Sequence, residues 1–187
     1  MSSREKLLDV AFDEIYHNGY SATSVDTILK KANMNKGSMY HFFKSKKELT
    51  LAVIDERLDS HIKDKYSVLL KYEKNICDEI IKLIKDRKNY NYTCGCKLNN
   101  LMQELSPKDN DFKIALEKVY FNFEAIFEKV LDNAVKIGEI KTTDTKALGT
   151  FVVASIEVCL GTAKKSQDGA YFLTCISQLE LFFKSLK

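Results

Sequence analysis

Three groups of residues in this chain have the types and spacing to do chemistry. The first is Asn35-Lys36-Gly37-Ser38, followed by Tyr40, His41, Lys44 and Lys46. Cations, hydroxyls and a residue without a side chain stand together at the start of a short helix. There the backbone N–H groups and the positive dipole end can approach a phosphate or a base edge. Gly37 inside that helix costs about 1 kcal/mol relative to Ala. Close approach to a polyanion and relief of crowding are both reasons to leave a side chain out. The second group is Cys94 and Cys96 beside Lys97, with Asn99 and Asn100 just beyond. A neighbouring cation favours thiolate, and amides on an otherwise apolar helix can orient a ligand; the same residues serve equally as small fillers and caps. The third is Glu157, inside Val152-Val153-Ala154-Ser155-Ile156-Glu157-Val158-Cys159-Leu160. An unpaired buried carboxylate is costly, so it faces water, a cationic ligand or a lysine of a second subunit.

Other chemistries are poorly served. Of three histidines (His17, His41, His61), two lie in the same N-terminal stretch as the first group, and no Gly-rich phosphate loop or nucleophile elbow is present. Cys-X-Cys with His61 or Cys77 lacks zinc-ligand spacing. The expectation is a protein that is not an enzyme and that holds no metal or cofactor.

Charge supports the first group. The net charge of +3 sits wholly in residues 1–47, where eight basic side chains (Arg4, Lys6, Lys30, Lys31, Lys36, Lys44, Lys46, Lys47) face five acidic ones (Glu5, Asp9, Asp13, Glu14, Asp26). The remaining 21 basic and 21 acidic residues cancel, and from Lys30 to Lys47 there are six lysines and no acid. A local basic stretch beside a neutral body is the footprint of a face that meets polyphosphate.

The elements that position these groups are helices. One proline and seven glycines in 187 residues leave too few turns for a β-sandwich or barrel, so the fold class is all-α. A first helix runs from about Arg4 to His17, with Leu7, Leu8, Ala11, Phe12 and Ile15 on one stripe, and ends at Asn18-Gly19. Ser24 caps a second to Ala32, and Asn33 supplies a left-handed turn. Asn35 caps a third that brings Met39, Tyr40 and Phe43 inward, and Ser45 with Glu48 opens a long fourth toward Tyr72. Later helices cover Phe112 to Ala134, stopping at Gly138, then Thr145 to Lys164 and Gly169 to Leu186. The longest candidate for a membrane span, Thr150 to Ala163, is interrupted by Glu157 and reads as a buried helix. The opening residues lack the pattern of a signal peptide. The five cysteines (Cys77, Cys94, Cys96, Cys159, Cys175) are odd in number and unframed, which argues against a disulfide scaffold and for the cytoplasm.

Tyr20 to Ile28, then Ala32 to Phe43 and Ser45-Lys46-Lys47-Glu48-Leu49, resemble the DNA-binding domain of TetR-type transcriptional repressors. Asn33 stands where that family usually has Gly. The resemblance implies a helix-turn-helix domain over residues 1–47 and a helical effector-binding and dimerisation domain over 48–187. It places Lys36, Gly37 and Ser38 in the major groove, and Thr23, Tyr40, His41 and Lys46 on backbone phosphates. It further implies double-stranded operator DNA as partner, a homodimer through the last two helices, and release by a small-molecule effector. Cys94, Cys96, Asn99, Phe123, Phe127 and Glu157 are the candidate effector contacts. A thiol-based sensor of oxidants or electrophiles acting through Cys94 and Cys96 is the alternative.

Overall fold

The computed structural model describes residues 2–87 and 90–187. Among the described residues there are ten α-helices and no strand. In chain order they are α1 (Ser3–Asn18), α2 (Val25–Ala32), α3 (Lys36–Phe42), α4 (Lys46–Val53), α5 (Asp59–Tyr66), α6 (Ile76–Lys85), α7 (Lys97–Leu105), α8 (Asn110–Lys136), α9 (Thr145–Ser166) and α10 (Gly169–Ser185). The expected fourth helix is a run of pieces: α4, a π turn at Ile54–Leu58, α5 and a 3-10 turn at Ser67–Lys71. By packing, the chain divides into one unit of Met1–His61 with Lys97–Tyr120 and another of Ile62–Cys96 with Phe121–Lys187. The first therefore takes in more than residues 1–47.

In the first unit each short helix is fixed at its start by a side chain. Ser2 accepts from Glu5 N at 3.2 Å, Ser24 from Thr27 N at 3.0 Å, Asn35 from Ser38 N at 2.8 Å and Ser45 from Glu48 N at 3.1 Å. Glu48 closes the last of these as a capping box by accepting from Lys44 N at 2.8 Å. Between α2 and α3, Asn33 is left-handed at φ 51, ψ 51, as the turn requires. Leu7, Leu8, Ala11, Ile28, Leu29, Ala32, Met39, Phe43, Leu49 and Val53 form one buried core that locks α1 to α4 together. Tyr40, expected inward, is 56% exposed. Met39 and Phe43 already fill the one stripe that a seven-residue helix can bury, so its neighbour points outward.

In the second unit α10 packs against both α6 and α9. Phe127, Phe172 and Phe183 are fully buried. Gly149 lets α9 approach the backbone of α8: a Cβ there would stand 3.1 Å from Glu128 N and 3.2 Å from Glu124 O. Gly138 (φ 75) ends α8 with Gly138 N on Val135 O and Glu139 N on Ala134 O, both at 2.9 Å. Against the expectation from cysteine usage, Cys159 and Cys175 form a disulfide between α9 and α10, with Cα atoms 5.4 Å apart. Helix pairing brought together two residues 16 apart that no spacing rule connects. By length and composition α9 could cross a membrane, but half of its apolar window is buried inside this fold.

Candidate nucleic-acid interface and effector site

The outward face of α3 carries Lys36, Gly37, Tyr40 and His41, all exposed, with Ser38 half-buried beside its cap and Lys44 exposed just beyond the helix. A Cβ at Gly37 would meet only Asn35 Oδ1, at 3.3 Å. The crowding to be relieved is therefore that of the helix's own cap, and outward the backbone is open. Lys36 pairs with Asp26 at 3.0 Å, both side chains mostly in water. That pair raises the lysine's pKa through the hydrogen bond and charge of Asp26, yet exposed pairs of this kind hold weakly. His41 lies edge-on to Phe42, ring centroids 5.0 Å apart.

Two residues expected on phosphates, Thr23 and Lys46, also make hydrogen bonds inside the unit. Thr23 is 2% exposed, and its hydroxyl sits 2.7 Å from Gly19 O and 3.2 Å from Glu14 O, fixing the α1–α2 turn. Lys46 donates to Tyr20 O at 2.5 Å, with its ammonium 4.0 Å from the Tyr20 ring centroid. Burial there pushes its pKa down. The rest of the lysine tract divides similarly. Lys31 pairs with buried Glu14, and Lys47 pairs with Asp109 and Asp111, each at 2.7 Å. Among the described residues Lys30 and Lys44 enter no ion pair.

Sequence reasoning missed the clasp on this turn. Glu104, in the last turn of α7, accepts from Tyr20 N at 2.9 Å and Ser21 N at 2.7 Å. Gly19 (φ 81) permits it, since a Cβ would lie 3.1 Å from Glu104 Oε2. Burial raises the carboxyl's pKa, but the bonds from Ser21 and Tyr20 and the nearby Lys108 outweigh it, leaving it below the usual range. The signal in the sequence was a lone acid on a short helix, which says nothing about its partners.

Within the second unit, four of the six candidate effector residues fall into two groups, Cys96 with Glu157, and Phe123 with Phe127 on Tyr66. Cys96 Sγ donates to Glu157 Oε1 at 3.8 Å. Phe123 and Phe127 pack on Tyr66 with ring centroids 4.8 and 5.5 Å away. Tyr66 is 4% exposed; burial raises its pKa, the charge and hydrogen bond of Arg87 oppose this, and the charges of Cys96 and Glu157 add to it. Cys94 Sγ lies 3.6 Å from Thr93 Oγ1. Asn99 belongs to the first unit and accepts from Gln103 Nε2 at 2.5 Å. The cation expected to favour thiolate, Lys97, lies 3.5 Å from the Tyr16 ring centroid, while the group that accepts from Cys96 Sγ is the Glu157 carboxylate. Among the described residues no cluster of three or more His, Cys, Asp or Glu could hold a metal ion.

A short capped helix exposed on a helix-turn-helix core, joined to a helical body, defines a DNA-binding regulator. The comparisons agree. Residues 7–53 match the family of bacterial regulatory proteins, tetR family, and residues 74–178 match the tetracyclin repressor-like C-terminal domain. The chain belongs to the TetR family and is a ligand-responsive DNA-binding transcriptional regulator. An HTH-type transcriptional regulator of Lactococcus lactis is 28% identical over 171 residues, 89% of this chain and 86% of its own. The HTH-type transcriptional repressor NemR of Escherichia coli K12 is 24% identical over 135 residues, 70% of this chain and 68% of its own. The crystal structure of reduced E. coli NemR has the same fold, with TM-score 0.85 at 22% identity over 95% of each chain.

Proposed function

We propose that this protein is a cytoplasmic, homodimeric repressor that reads its operator with the outer face of α3 and leaves it when a small molecule occupies the body. Lys36, Gly37 and Ser38 approach base edges; Tyr40, His41 and Lys44 meet backbone phosphates. The observation that carries this reading is the exposure of Lys36, Tyr40, His41 and Lys44 around a backbone open at Gly37. One such helix reads few base pairs, so two copies are needed, about one helical turn or roughly 34–36 Å apart. The dimer face is the outer side of α9 and α10. Phe151, Val158, Leu173, Leu181 and Phe182 are exposed there, and Phe151 with Ala154, Ser155 and Val158 lines a cavity of about 340 Å³ that reaches Cys159 and Cys175. Unpartnered apolar patches of this kind mark interfaces. Effector release requires that the ligand bind the two arrangements of the dimer unequally.

The test of the whole proposal is selection of operator fragments from random duplexes by the purified full chain, with its mass in solution measured in parallel. The expected result is a palindromic consensus bound by a dimer; a monomer with no preference over random competitor refutes it.

A further inference from the structure

The body carries an arginine that its fold does not use up. Arg87 follows α6, with its guanidinium 5.1 Å from the Tyr90 ring centroid and 5.2 Å from that of Phe172. Its Nη2 donates to the hydroxyl of buried Tyr66 at 3.1 Å. Its Nε is closed off from solvent and, among the described residues, has no acceptor. Nor does any carboxylate among them pair with the guanidinium. A buried donor left unmade costs about 1–3 kcal/mol. Such a site calls for a missing partner.

We propose that Arg87 is the anchor for the carboxylate of a small monoanionic effector whose apolar body lies among Tyr66, Phe123 and Phe172. A carboxylate matches the requirements atom by atom. Its plane suits a guanidinium stacked between aromatic rings, and its oxygens accept from Nε–H and a neighbouring N–H together. One guanidinium balances one negative charge, whereas a dianion would add a second beside the fields of Glu157 and Cys96 that already reach Tyr66. The inference deepens the effector-release reading by naming the ligand's chemistry, and it rests on that reading for its regulatory meaning only.

The experiment titrates the full-length dimer with sodium benzoate, sodium cyclohexanecarboxylate and sodium octanoate, each against its amide, and with inorganic phosphate. Calorimetry and thermal unfolding are the readouts. At least one carboxylate should bind and raise the Tm while its amide and phosphate do not. Arg87→Met should weaken that binding about 10–100-fold, with Arg87→Lys in between. The proposal is overturned if the amides bind as well as the acids, if Arg87→Met binds like the wild type, or if none of the carboxylates binds. Operator binding by Arg87→Met, measured separately, reports that the variant is folded. Arg87-dependent carboxylate binding without any change in operator occupancy would sink the effector-release reading and leave the site standing.

Discussion

Replacing Glu104 by Gln tests whether the first unit is held by a carboxylate on the α1–α2 turn. The carboxylate accepts two backbone N–H bonds, from Tyr20 at 2.9 Å and Ser21 at 2.7 Å. Charge-assisted bonds are worth about 1.5–3 kcal/mol each when shielded; here one bond site is exposed and the other partly so, and that halves the figure. Gln keeps one acceptor oxygen and turns an NH2 toward the other N–H. One bond is lost, and the expected cost is about 0.8–1.5 kcal/mol. With a urea slope of about 2 kcal/mol/M for a chain of this size, the midpoint should fall by about 0.4–0.8 M. The folded carboxyl titrates below its ordinary value, so its contribution is present above the usual glutamate range and is lost as pH falls through the lowered folded value. The Gln variant should therefore differ from the wild type at pH 7 and converge with it under acid. Midpoints that coincide at pH 7, or a difference that persists unchanged in acid, would refute the reasoning.

Three further outcomes follow from contacts already described. Cys175→Ser should lower stability by about 3 kcal/mol relative to the oxidised wild type, the loop-entropy value for a closure of this length. Reductant should bring the wild type down to the variant, and midpoints indifferent to reductant would count against the α9–α10 bond. Glu180 is held down to about 2, first by its hydrogen bonds to Lys184 and Lys85. Its stabilisation is present above the ordinary carboxylate range and lost as pH falls toward 2, so Glu180→Gln should flatten that stretch of the acid limb. At neutral pH the same variant should cost under about 1 kcal/mol, because the cluster is partly solvated. Val158→Glu, on the 64% exposed centre of the α9 face, should turn the dimer monomeric by sedimentation without loss of helical signal.

What could be read in the sequence was whatever is decided within a few residues. Ser24, Asn35 and Ser45 cap the helices that their spacing implied, and Asn33 takes the left-handed turn, because these bonds reach only two or three residues along the chain. Tyr40 failed for a related reason. Met39, Tyr40 and Phe43 all fit an apolar helical pattern, and only the packing of α1, α2 and α4 decides which two are buried. The Cys159–Cys175 bond, the Glu104 clasp and, among the described residues, the want of an acceptor for Arg87 Nε are all set by tertiary packing. No local signal marks them: Arg87 is one basic residue in a polar stretch, and Glu104 one acid among 26 acidic residues.

The lysine tract shows how far that difference reaches into function. Counted along the chain it is six positive charges without an acid, which suggests that Lys36 and Lys46 serve DNA alike. In the folded unit they diverge. Lys36 is tied only to exposed Asp26 and can exchange that partner for a phosphate, whereas Lys46 is half-buried on Tyr20 and holds the turn that Thr23 and Glu104 also hold. Each phosphate contact removed from a complex with B-DNA lowers the slope of log affinity against log salt by about 0.9. Lys36→Ala should therefore cut the slope by about 1 per protomer, or about 2 for the dimer, with little change in unfolding midpoint. Lys46→Ala should lower the midpoint and weaken binding at every salt concentration while leaving the slope nearly as it was. The reverse pattern, a slope change from Lys46 and none from Lys36, would mean that DNA pulls Lys46 out of the turn, and the division of labour drawn from the packing would fail.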